Sequence, residues 1–170
     1  MPKSELLSRI LETPHIVHVV PRLQPEVIHK VIQNCGLEDC ADIVALATPA
    51  QLMRVFDLDL WRSERAGLDE RLDADRFGVW LEVLMESGTA GAAEKIIGMD
   101  VDLVIAALAQ HMRVFDRAAT SRSGREIATY VIEPVRTGSW DAIVELLIFL
   151  DAEHHDYFNR VIRGCRRVSS

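Results

Sequence analysis

Four consecutive residues near the C-terminus carry the donor atoms that metal-assisted hydrolysis uses. In AEHHDYFNR (residues 152–160), Glu153, His154, His155 and Asp156 stand in a row. Imidazole with carboxylate is a ligand set that holds a water-activating divalent metal. Such a centre needs further ligands, and His15 and His18, one helical turn apart, are the second pair. Consecutive helical residues diverge by about 100°, so His154 and His155 do not easily face one ion. The plainer reading is that Glu153 and Asp156 open a helix, whose dipole favours acids in the first turn.

A second constellation is acidic. Residues 57–76, DLDLWRSERAGLDERLDADR, hold Asp57, Asp59, Asp69, Asp73 and Asp75, and hard cations such as Mg²⁺ or Ca²⁺ take oxygen ligands. DLDLW lacks the glycine and closing glutamate of a calcium loop. Asp57 and Asp59 therefore read equally as the end of a helix, bonding to the turn that follows. The third constellation is basic: Arg160, Arg163 and Arg167 recur on one helical face, with Arg166 beside them. That patch suits phosphate or an acidic partner, and arginines also gather at helix C-termini for the dipole alone. Together with Trp61 these arginines are the candidate interaction surface. Cys165, next to Gly164 and two arginines, is a candidate for a lowered thiol pKa, without a visible catalytic partner. None of G-x-x-x-x-G-K-[ST], G-x-G-x-x-G, G-x-S-x-G or H-E-x-x-H occurs. No catalytic residue and no cofactor is assigned.

The chain balances 19 Lys+Arg against 26 Asp+Glu, a net charge of −7. This disfavours nucleic acid as a partner, because phosphate backbones need a basic surface. The charge is uneven: residues 1–112 hold 18 acids and 10 Lys/Arg, residues 113–170 hold 8 and 9. Cys35, Cys40 and Cys165, an odd and sparse set, point to reduced thiols and a cytoplasmic location. MPKSELLSRILE lacks a signal-peptide core, and apolar runs of about nine residues are too short to cross a bilayer. A single helical domain over residues 1–170 fits this length.

The elements that must position these residues are mainly helices. Ser4 caps a short amphipathic helix carrying Leu6, Leu7, Ile10 and Leu11. After Pro25 a second presents Val27, Ile28, Val31 and Ile32 and ends at Gly36. A third covers about 37–47. Thr48-Pro49 then starts a helix with Leu52, Val55 and Phe56 facing the core. Leu58, Leu60 and Trp61 are expected to plug the core. Asp73 or Asp75 caps a longer helix carrying Phe77, Trp80, Leu81, Leu84 and Met85, and Gly88 stops it. A short helix follows, and Asp100 caps another reaching Phe115. MRVFD occurs at 53–57 and again at 112–116. Each copy is expected to close one helical unit, its Asp starting the next turn or pairing with a neighbouring Arg. The units are about 24–57 and 75–116, with a degenerate third at 139–165, where Ser139 caps one helix and Gly164 ends the next. Residues 117–126 read as a polar loop, and IATYVIEPV as β-prone. The expected fold is all-α in the main, a short-helix repeat superhelix or orthogonal bundle with one short β-hairpin near 125–135.

The block ATPAQLMRVFDLDLW (residues 47–61), with VWLEVLMESG at 79–88, resembles the signature of a family of uncharacterised bacterial proteins of unknown function. More distantly, the helical pattern is similar to the cytosolic N-terminal domain of MgtE-type magnesium transporters, which implies a superhelix of short helices. The His154–Asp156 run resembles the metal-binding pair of HD-type phosphohydrolases. The favoured expectation is a scaffold or regulatory module that binds a protein partner or itself, without membrane insertion. The alternatives are a metal-dependent hydrolase built on His154, His155 and Asp156, and a divalent-cation-responsive domain using the acids of 57–75.

Overall fold

The computed structural model describes residue 12 and residues 15–62 and 71–169. The helix expected over residues 4–11 lies outside these, as does Asp69.

Helices dominate the chain order. A short α1 (Ile16–Val19) and a 3₁₀ turn (Val20–Arg22) lead into α2 (Pro25–Cys35). A second 3₁₀ turn (Leu37–Cys40), α3 (Ala41–Leu46) and α4 (Pro49–Asp59) follow. Gly36, at φ 90°, takes the positive φ that only glycine reaches cheaply, and so turns the chain out of α2. Ile28, Val31 and Ile32 of α2 are buried, but Val27 faces outward. Thr48 and Pro49 begin α4 as expected, and they are joined by a reciprocal cap. The Thr48 hydroxyl accepts from the Gln51 amide, and the Gln51 side chain accepts from the Thr48 amide. This Thr-x-x-Gln box satisfies two orphan donors of the helix start.

The partners of α2 and α4 climb both helices in the same order. Gln51 reaches the Leu23 carbonyl, Arg54 meets Glu26, and Asp59 meets His29. The two helices therefore lie side by side and run the same way, with α3 as the crossover. A two-residue ladder, β1 (Trp61–Arg62) against β2 (Arg71–Leu72), closes the following excursion. Leu60 enters the core as expected, whereas Trp61 does not and stays 37% exposed.

Next come α5 (Ala74–Met85), α6 (Thr89–Ile97) and α7 (Val101–Ala109). Asp73 caps α5 by accepting from the Arg76 amide, and Asp100 caps α7. The helix from Asp100 stops at Ala109, short of the expected Phe115. The second MRVFD is instead strand β3 (Met112–Asp116). It pairs antiparallel with β5 (Tyr130–Pro134), which also pairs β4 (Arg125–Ile127), giving the order β3-β5-β4. The hairpin expected near 125–135 is β4–β5, turning at Ala128 with φ 54°.

The C-terminal pair is α8 (Trp140–Glu153) and α9 (His155–Ser169). Ser139 precedes α8 in the left-handed region and makes no side-chain cap, so its expected capping bond is not formed. Nor does Gly164 end a helix: α9 runs through it to Ser169. A Cβ there would lie 2.5–2.9 Å from three side-chain atoms of Ile105, so Gly164 allows α9 to press onto α7. One hydrophobic cluster runs from Val20 to Cys165 and includes the inner faces of β3 and β5.

Candidate functional site

α9 is sharply two-sided. Phe158, Val161, Ile162 and Cys165 are fully buried on one face, while Arg160, Arg163, Arg166 and Arg167 stay exposed on the other. This follows from the sequence, where apolar residues recur at i, i+3, i+4 and i+7 and arginines fill the complementary positions. The arginine face lines a cleft of about 750 Å³ together with Asp156 and Asn159. Arg166 is anchored by Asp116 at 2.8 Å, so the second MRVFD does end in an Asp–Arg pair. Trp61, on β1, is not among the described residues lining this cleft.

The other constellations separate. His155 bonds to Asp151 at 3.0 Å, and His154, His155 and Asp156 are all exposed at the α8–α9 junction. The His15 and His18 rings lie 6.2 Å apart. Among the described residues no group of three His, Cys, Asp or Glu side chains is placed to hold a metal ion. Asp57 is exposed, Asp73 is the α5 cap, and Asp75 pairs with Arg136.

Asp59 is engaged inside the molecule. Its carboxylate, 9% exposed, accepts from Arg76 Nε and Trp80 Nε1, both at 2.7 Å. His29 Nε2 lies 3.2 Å away. Burial pushes its pKa up, but bonds from Arg76 and Trp80 and the charges of Arg76 and His29 overcome this and hold it below the usual carboxylate range. Trp80 in turn meets Phe56 edge-on at 4.7 Å. The DLDLW aspartate thus ties α2, α4 and α5 together.

Two buried polar residues escaped the sequence reading. Gln51 donates to the carbonyls of Val20 and Leu23 at 2.8 and 2.7 Å, beyond its role in the cap. Its signal was present in the Thr-x-x-Gln spacing. His111, 1% exposed, donates from Nε2 to the Ala74 carbonyl at 2.6 Å. Its Nδ1 has no partner among the described residues. No local pattern marks it, because Ala74 is 37 residues away.

The thiols differ from expectation. Cys165 is buried, and desolvation pushes its pKa up to about 12 rather than down. The adjacent arginines point to the opposite face of α9. Burial raises Cys40 to about 11, with smaller contributions from Cys35 and Asp39.

This arrangement gives α9 a strongly basic outer face. The chain belongs to a family of unknown function (DUF6178). Its family model matches residues 1–169. Neither a curated protein nor a solved structure matches the chain, so the MgtE-type likeness rests on the helical pattern alone. Among the described residues, no helix of this DUF6178 chain is long and apolar enough to cross a membrane.

Proposed function

We propose that this DUF6178 chain is a cytoplasmic binding module, acting as a scaffold or regulatory element that docks an anionic partner through the exposed face of α9. The observation that carries this reading is the cleft lined by Arg160, Arg163, Arg166 and Arg167 in a chain of net charge −7. A concentrated basic face on an otherwise acidic molecule steers and orients a partner of opposite sign. The polar groups that would otherwise suggest chemistry have structural occupations: Asp59 joins three helices and Gln51 closes a cap. Cys35, Cys40 and Cys165 form no disulfide among the described residues, which suits a reducing compartment.

The reading is tested by placing a photo-cross-linking residue at Asn159, in the cleft, in cells expressing the chain. A discrete adduct, to a protein or to a smaller anionic ligand, is expected, lost in the Arg160→Glu/Arg163→Glu variant. An adduct pattern indifferent to that charge reversal would count against docking through α9.

A further inference from the structure

We infer that the α9 cleft recognises closely spaced phosphate groups. This rests on the reading of α9 as the docking face and adds the chemistry of what it takes. Among the described residues that line the cleft, the cations are four arginines, with no lysine. Guanidinium offers a rigid fork of donors matched to bidentate oxyanions. At 1.5 Å rise per residue, Arg160, Arg163 and Arg167 are spread over roughly 10 Å of helix, a compact array of charge.

The exposed arginines divide into those that meet a carboxylate and those, among them Arg22, Arg113 and Arg125 as well as Arg160 and Arg163, that make no ion pair among the described residues. Arg54, Arg76, Arg117, Arg122 and Arg136 each meet a carboxylate. Within the cleft, Arg166 is held by Asp116, whereas Arg160 and Arg163 make no ion pair among the described residues. They stand one turn apart on α9, where like charges repel. An anion between them relieves that repulsion. A carboxylate supplies one negative charge, whereas a phosphate supplies about −1.5 to −2 and three acceptor oxygens. One phosphate matches the two guanidinium charges of Arg160 and Arg163, and an adjoining phosphate reaches the arginines one turn further on, Arg166 and Arg167, whereas side-by-side carboxylates on a peptide spread their charge more thinly. The opposite face of α9 is locked into the core through Phe158, Val161 and Ile162. The backbone that carries the arginines is thus fixed before binding, and the ordering cost on the protein side is confined to the side chains.

Titration calorimetry of the full chain with inorganic tripolyphosphate tests this. One-site binding that weakens with added salt is expected. The Arg160→Ala/Arg163→Ala variant should lose affinity by about tenfold or more, as removal of charge-assisted bonds implies. Arg125→Ala, an exposed arginine on β4, should bind as the unmodified chain does. Circular dichroism should show both variants folded. A nucleoside triphosphate run in parallel identifies the source: tighter binding than tripolyphosphate supports a nucleotide tail, equal or weaker binding a free oligophosphate. No binding at millimolar tripolyphosphate, or an equal loss in Arg125→Ala, overturns the inference. A polyglutamate peptide binding at least as tightly as tripolyphosphate also overturns it, yet leaves docking through α9 standing. If neither anion binds and the cross-link at position 159 is indifferent to charge reversal, both readings fall together.

Discussion

At the scale of single residues, Asp59 is the most exacting position. Its carboxylate is nearly out of water and answers Arg76, Trp80 and His29 at once. Removing one side of a buried charge pair leaves the other uncompensated, so Asp59→Asn is expected to lower stability by about 2–3 kcal/mol. The sign of the pH dependence follows from the lowered folded pKa. Its unfolded counterpart is about 3.9, so the stabilisation is fully present above that value and is lost as pH falls through the folded pKa. Urea unfolding of both proteins should therefore show their largest difference at neutral pH. The gap should narrow below about pH 4; a gap constant down to strongly acid pH would refute the charge-based account. The cysteines give a second residue-level test. Cys40 and Cys165 are buried with raised pKa values of about 11 and about 12, and only Cys35 is partly accessible. Since the thiolate is the reactive form, a disulfide reagent at pH 8 should label Cys35 fast and the other two only on unfolding. Rapid labelling of Cys165 in the native chain would contradict its burial.

At the scale of elements, MRVFD adopts two conformations. In α4 its period is helical, so Val55 and Phe56 are fully buried and Met53 is 38% exposed. In β3 its period is two, so Met112 and Val114 are buried while Phe115 is only partly covered beneath Arg122. Identical residues should therefore respond oppositely to alanine. Met112→Ala is expected to cost about 2–4 kcal/mol and Met53→Ala less than about 0.5. Phe56→Ala should cost about 3–5 kcal/mol, and Phe115→Ala clearly less. Equal costs in the two copies, measured by denaturant midpoints, would refute the difference in period. The contrast also shows which parts of the fold were legible in the sequence. Capping at Thr48, Asp73 and Asp100, the turn at Gly36 and the amphipathic face of α9 are encoded within a few residues, and all could be read there. The conformation of the second MRVFD is decided by β5, about twenty residues further on, through pairs such as Val114 with Ile132. Because the same letters form a helix earlier, propensity could not distinguish the copies. The arginine face of α9 was legible because it lies on one helix, but the Asp59 junction joins residues 17 to 30 positions apart and no spacing rule reports it. Gly164 belongs to the same non-local class, a C-terminal signal by local rules and a contact surface in the fold. Gly164→Ala gains about 1 kcal/mol of helix propensity but forces a methyl into the stiff, β-branched Ile105. A net loss of about 1–2 kcal/mol is expected, recovered in part by Ile105→Ala in the same chain.

At the scale of the whole molecule, α9 joins the stability of the fold to the surface proposed to bind. It packs on α7, on α8 and on β3, so the sheet created by the second MRVFD is covered by the helix that bears the arginines. Four of its side chains, Phe158, Val161, Ile162 and Cys165, are fully buried. At about 1.5–3 kcal/mol for each of the three larger ones, their burial rivals the 5–15 kcal/mol by which a domain is usually stable. Removing α9 would also uncover β3 and the facing side of α7 around Ile105, exposing apolar surface to self-association. The two faces of the helix should thus be separable by mutation. Charge reversal at Arg160 and Arg163 should shift the thermal midpoint by no more than a few degrees, because exposed positions away from pairs rarely exceed about 0.5 kcal/mol. Deletion of residues 155–170 should instead abolish the cooperative thermal transition of the whole chain and leave a species that binds hydrophobic dyes. A truncated chain that still melts sharply near the original midpoint would show that α9 is appended to a self-sufficient core.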